Sequence, residues 1–196
     1  MRAEVATQNR LTLKAYLQLE EETKEKYEYF AGYVYAMAGG SYAHNTICGN
    51  IFSEINMRLK GTSCQIMNSD TKLYLQPRES YVYPDAMILC GTKEESPELK
   101  GAFMNPVVII EVLSDSTEGF DRGEKFEYYR QIPSLKHYLM IRQDVVKIDI
   151  YSREDTLWRI ETLTGLKNVM ELEVVTDLKL NLPLADIYDR ISFETK

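Results

Sequence analysis

The chain has 196 residues, of which 44% are hydrophobic and 27% charged, and its formal net charge is −7. That length and balance suit one soluble domain with a proper core, and no stretch approaches the ~20 apolar residues of a membrane span. The acidic balance argues against strong non-specific nucleic-acid affinity, which rests on Lys and Arg.

Residues 1–10 carry no apolar run, so they read as a short flexible lead rather than a secretory signal, and a cytoplasmic location is expected. Residues 11–196 show no repeat, no low-complexity stretch and no composition shift, and are expected to form a single domain. Leu11 to Thr23 reads as a first helix with Thr12 as its N-cap and Leu13, Tyr16, Leu17 and Leu19 apolar. Tyr27 to Phe30 and Tyr33 to Met37 read as two aromatic strands joined by a tight hairpin at Ala31-Gly32. Gly39-Gly40-Ser41 breaks the pattern and offers Ser41 as a cap. Ile47, Ile51, Ile55 and Leu59 then recur every four residues, a helical stripe facing a core, with His44 on or beside that face.

Strands are expected over Cys64 to Asn68, Lys72 to Gln76 and Tyr81 to Leu89, and Gly91 to Asn105 reads as a polar loop. Val107 to Leu113 is apolar throughout except for Glu111, the pattern of a central buried strand. A charged helix is expected over Asp121 to Gln131, with Phe126, Tyr129 and Ile132 facing inward. His137 to Ile141 pairs with Lys147 to Tyr151, Trp158 to Leu163 pairs with Val169 to Leu172 around Gly165, and Leu184 to Ile191 closes the chain as a short helix. Such an order implies an α/β (α+β) arrangement, a mixed β-sheet flanked by α-helices. The three cysteines, Cys48, Cys64 and Cys90, form no CxxC pattern and read as reduced and mostly buried.

Chemistry is concentrated in a few charged residues. Glu111 interrupts a buried apolar strand, and a Glu is almost never fully buried unless it is paired with a cation or bound to a metal. Asp85 follows Pro84, which removes a ladder donor and implies an edge or bulge that can aim a carboxylate into a cleft, although a plain turn Asp fits the same pattern. Two carboxylates from neighbouring strands form a hard-oxygen site for a divalent cation, and a nearby Lys, here Lys125, stabilises developing negative charge. A solvated helix Lys is the commoner use of that residue type. Arg122 is planar and suited to phosphate. Glu28 lies between Tyr27 and Tyr29, with the aromatic pair facing one way and Glu28 the other. Asp70 is either a turn residue or an accessory acid, and His44 either structural or a metal or substrate contact. No P-loop, GxGxxG, GxSxG or HExxH is present.

The chain resembles the Uma-two family within the PD-(D/E)XK restriction-endonuclease-like superfamily. The resemblance runs from about Leu11 to Tyr151. Its carriers are Tyr27-Glu28-Tyr29-Phe30-Ala31-Gly32, Met37-Ala38-Gly39-Gly40-Ser41 with His44, Ser69-Asp70 and Tyr83-Pro84-Asp85. They continue through Glu111-Val112-Leu113-Ser114 with Ser116-Thr117, Asp121-Arg122-Gly123-Glu124-Lys125 with Tyr128, and Ile132-Pro133-Ser134. It implies a restriction-endonuclease-like core in which Asp85, Glu111 and the Val112 carbonyl hold Mg²⁺ or Mn²⁺ and Lys125 serves the phosphate. Leu113 stands two residues after Glu111, where the superfamily pattern has Lys, and in this family the Lys is displaced to the following helix at Lys125. Glu28, His44 and Asp70 match family positions around the same cleft. The expected activity is metal-dependent endonucleolytic hydrolysis of DNA, by a homodimer and with no membrane partner. A catalytically inactive binding or assembly module on the same fold is the alternative, and another phosphoester is a third reading.

Overall fold

The structure is a computed structural model that describes residues 10–37, 39–114 and 118–193. The expected flexible lead, apart from Arg10, and Ala38, Ser116 and Thr117 of the resemblance lie outside the described residues.

The chain opens with α1 (Leu13–Thr23), capped by Thr12, whose hydroxyl accepts from the Ala15 N–H. β1 (Tyr27–Phe30) and β2 (Tyr33–Ala36) form the expected hairpin. Ala31 and Gly32 both take positive φ, as a two-residue turn between twisted strands requires. α2 (Tyr42–Arg58) follows, and Ser41 caps it by accepting from the His44 N–H at 3.0 Å. Its stripe of Ile47, Ile51 and Ile55 is buried.

β3 (Cys64–Asn68), β4 (Lys72–Leu75), β5 (Ser80–Val82), β6 (Ala86–Cys90), the short β7 (Ala102–Phe103) and β8 (Pro106–Leu113) come next. The expected strand from Tyr81 to Leu89 is two strands, because Pro84 cannot donate to a ladder and the chain leaves one sheet for another there. β7 escaped the sequence reading because two residues carry no periodicity.

A helical run then forms from α3 (Glu118–Phe120), a π-helical turn (Asp121–Lys125) and α4 (Phe126–Tyr129). β9 (His137–Arg142), β10 (Lys147–Glu154), β11 (Leu157–Thr164), β12 (Val169–Val175), β13 (Leu178–Pro183) and α5 (Leu184–Ile187) complete the fold. The hairpin expected around Gly165 does not form. β11 pairs with β10 and β12 with β13, through turns in which Asp155 and Asp177 take positive φ. Aspartate tolerates the left-handed region, so these turns need no glycine.

Two mixed sheets result, ordered β2-β1-β5-β4-β7 and β11-β10-β9-β8-β6-β3, with β12-β13 as a separate ribbon. Alternation along each strand sets the layers. Val108, Ile110 and Val112 of β8 face a core shared with α2, β12, β13 and α5. Ile109 and Leu113 face a second core between the two sheets, which also takes Phe30, Leu73, Val82, Tyr129 and Tyr138. Tyr16, Tyr29, Tyr74 and Tyr81 fill a third core between the first sheet and α1, with Tyr16 stacked on Tyr29 at 4.9 Å between ring centroids. Among the described residues no helix is long and apolar enough to cross a membrane.

The cysteines correct an expectation. Cys64 and Cys90 face each other across β3 and β6, with Cα atoms 4.0 Å apart, and form a disulfide; Cys48 is the free thiol. Opposed positions on adjacent antiparallel strands bring Cβ atoms close, a register that sequence spacing does not reveal.

Candidate active site

By the parity of β8, Glu111 shares the face of Ile109 and Leu113 and so points between the two sheets. It is 4% exposed. By the parity of β1, Glu28 shares the face of Phe30 and points toward the same space, while Tyr27 and Tyr29 face α1. Lys125, at the end of the π-helical turn and 7% exposed, reaches into the gap. Its Nζ stands 3.1 Å from Glu111 Oε1, 3.4 Å from Glu28 Oε1 and 3.3 Å from Asp121 Oδ1. The Tyr129 hydroxyl donates to the same Glu111 oxygen at 2.9 Å. Glu28 in turn accepts from the Tyr83 N–H at 3.2 Å, which ties the cluster to the segment between β5 and β6.

Asp85 sits on that linking segment. Its Oδ2 accepts from the Val112 N–H at 2.7 Å, which fixes the carboxylate beside Glu111's own strand. The same oxygen lies 3.3 Å from His44 Nε2 on α2. On the other side of the imidazole, Nδ1 lies 3.7 Å from Cys48 Sγ. Gly40 makes the ring position possible, because a Cβ there would stand 2.5 Å from His44 Nδ1. Of the Gly-Gly step before α2, Gly40 therefore makes room for a side chain.

The electrostatics follow from burial. Desolvation pushes the Glu111 carboxyl up; the Lys125 ammonium pulls against that shift, while Asp121, Asp85 and Glu28 add to it. Burial would lower Lys125, but Glu111, Glu28, Tyr129 and Asp121 raise it well above its ordinary value, so it stays charged. Burial would likewise lower His44, but hydrogen bonds to Asp85 and Cys48 and the Asp85 charge raise it to about 11. The buried Asp121 Oδ1 has its cation, Lys125, and no hydrogen bond. Four carboxylates thus crowd around one ammonium and one imidazole, an arrangement that attracts cations.

The structure therefore brings Asp85, Glu111, Lys125, Glu28 and His44 together. It does not bring in Asp70, which is exposed on the β3–β4 turn and pairs with Lys26, just before β1. Arg122 is held by Glu118 at 2.7 Å and Asp149 at 2.6 Å, away from the Lys125 cluster. Three members were missed from sequence: Cys48, Asp121 and Tyr129. Each stands four positions from a residue already singled out (His44 or Lys125), which is the spacing of neighbours on a helix face. An open groove bounded by His137, Arg153, Arg159 and Lys179 includes none of the cluster; there Arg159 pairs with Glu154 and Glu161, and Lys179 with Glu173.

Comparison with known proteins gives consistent matches. The profile of the Uma2 family, described as "Putative restriction endonuclease", matches residues 13–185. Two uncharacterised proteins of Synechocystis sp. are similar to the chain: slr1290 is 38% identical over 146 residues, 74% of this chain and 76% of that protein. The other, sll1609, is 36% identical over 162 residues, 82% of this chain and 92% of that protein. A crystal structure described as a putative nuclease belonging to DUF820, from Anabaena variabilis, superposes with a TM-score of 0.71 at 17% identity, covering 93% of this chain and 99% of that one. At that identity the likeness is one of fold.

Proposed function

The chain belongs to the Uma2 family, and from that premise we propose that it is a metal-dependent endonuclease that hydrolyses DNA phosphodiester bonds with Asp85, Glu111 and Lys125. One observation carries the reading: a buried Lys ammonium 3.1 Å from a buried strand carboxylate, with a second strand-end carboxylate anchored on the next peptide N–H. The donor set fits Mg²⁺ or Mn²⁺, since carboxylate oxygens are the ligands hard cations take and the cluster holds an excess of negative charge. Asp85 and Glu111 would hold the ion. When bound, it supplies Lewis acidity toward a phosphoryl oxygen and toward water.

The protein's own groups do the rest. Tyr129 and Lys125 both donate to Glu111 Oε1, which orients the carboxylate and presents Oε2. The Val112 N–H does the same for Asp85. Lys125 carries a fixed positive charge in a site shielded from water, where it counters the charge that builds on the phosphate oxygens. Glu28 and Asp121 hold the ammonium in place when substrate is absent.

The net charge of −7 favours a second reading, a nuclease-fold module that binds without cutting. Titration calorimetry of Mn²⁺ into the wild type and Glu111→Gln, paired with cleavage of plasmid and single-stranded DNA, separates the two. Expected are binding by the wild type that is lost in the variant, and cleavage that falls at least about 10³-fold. Cleavage by Glu111→Gln at the wild-type rate would sink the assignment, and metal binding without cleavage of any DNA form would favour the module.

A further inference from the structure

We propose that His44 and Cys48 extend the site into a second cation position that shares Asp85 and takes a borderline-soft divalent ion, Zn²⁺ or Co²⁺, in preference to Mg²⁺. His44 and Cys48 are one helical turn apart on α2 and project from one face. One ligand atom from each of His44, Cys48 and Asp85 lies within 4.8 Å of the other two. As it stands the imidazole bridges the other two ligands, Nε2 3.3 Å from Asp85 Oδ2 and Nδ1 3.7 Å from Cys48 Sγ; an ion would take one of these nitrogens, with Asp85 and Cys48 closing on it across the 4.8 Å span. A nitrogen, a sulfur and an oxygen with an open fourth position is the ligand count of a catalytic zinc site.

Two further features point to a built site. Gly40 leaves out the side chain that would collide with the imidazole. Cys48 is partly buried and stays outside the disulfide that takes the other two cysteines, so it is the only free thiol in the chain. Thiolate ligation discriminates against Mg²⁺, which takes oxygen. Calling Asp85 shared rests on the Asp85–Glu111 cation position proposed above; a two-ion arrangement of this type clamps both the attacking and the leaving oxygen. An ion-free Asp85–His44–Cys48 chain of contacts is the competing arrangement, and it predicts no response of the thiol to Co²⁺.

Co²⁺ titration reads the thiol directly. With Cys48 the sole free thiol, an intense near-ultraviolet thiolate-to-cobalt band on adding Co²⁺ to the folded protein reports this position alone. The expected result is a band in the wild type, none in Cys48→Ser, and Co²⁺ affinity lowered about tenfold or more in His44→Gln. Glu111→Gln, outside the three ligands, keeps the band while losing Mn²⁺-supported cleavage. Far-ultraviolet circular dichroism establishes that each variant is folded, and if His44→Gln fails to fold, Cys48→Ser carries the test. Absence of the band in the wild type, or a band unchanged in His44→Gln, overturns the proposal. Cleavage that survives without the band overturns this position and leaves the Asp85–Glu111 reading standing; a band with no cleavage does the reverse.

Discussion

Two clusters in this molecule have the same design, one cation among several carboxylates, and opposite weight. Lys125 sits among Glu111, Glu28 and Asp121 at 3.1–3.4 Å. Arg159, on β11, sits between Glu154 at 2.8 Å and Glu161 at 3.3 Å. Distance would rank the second as the stronger. Burial reverses that order: the Lys125 side chain is 8% exposed and that of Arg159 is 55% exposed. Water screens the outer pair nearly completely, whereas each charge of the inner cluster has lost its hydration and depends on its partners. The inner cluster is therefore poor value as a stability device, which is the physical reason to look for function in it.

The comparison can be broken most decisively at Lys125. Lys125→Met strands the buried carboxylates of Glu111 and Asp121 and the partly buried one of Glu28 without their cation, and should destabilise the protein by about 3–5 kcal/mol in urea unfolding, while lowering cleavage about 10²–10³-fold. Lys125→Arg should restore the charge without restoring activity, because the guanidinium fork does not fit a site built for a compact ammonium. Glu111→Gln/Lys125→Met should regain part of the lost stability, since removing both charges costs less than removing one. An unfolding midpoint for Lys125→Met equal to that of the wild type would show that solvent reaches the cluster.

Asp149 is a mixed case, itself buried but paired with the more exposed Arg122 and Lys147. Burial would raise its carboxyl, but hydrogen bonds from Thr162 and Arg122 and the charges of Arg122 and Lys147 hold it below its ordinary value. A folded pKa below the unfolded one means a stabilisation fully present above the unfolded pKa, about 3.9, and lost as pH falls through the folded value. Asp149→Asn should therefore flatten the decline in melting temperature below about pH 4 and cost stability at pH 7. The smallest effect belongs to Arg159→Ala, expected to change stability by less than about 1 kcal/mol, and less again at high salt.

Sequence legibility followed the same division. Local signals were enough for α1, α2, β1, β2 and β8, because caps, a positive-φ turn, a four-residue stripe and an apolar run are written in neighbouring residues. The split at Pro84 and the π-helical turn depend on tertiary packing. The expected pairing of β11 with β12 fails because Gly165 is the most obvious turn residue in the sequence, whereas the hairpins close at Asp155 and Asp177. Glu111 stood out as a charge in an apolar strand, and its neighbourhood with Lys125 is now visible. Cys48 and Tyr129 gave only a four-residue spacing, since nothing in a helical Cys or Tyr announces which face meets a carboxylate.

The break at Pro84 has a consequence in time. Glu28 belongs to the first sheet, Glu111 to the second, and Asp85 to the segment that joins them. No single sheet, folded alone, holds the cluster. During synthesis it cannot exist until residue 129 has emerged and the sheets have closed on one another, so a nascent or half-unfolded chain carries the acids but no assembled centre. For an activity of the kind proposed, that makes folding itself the safety catch.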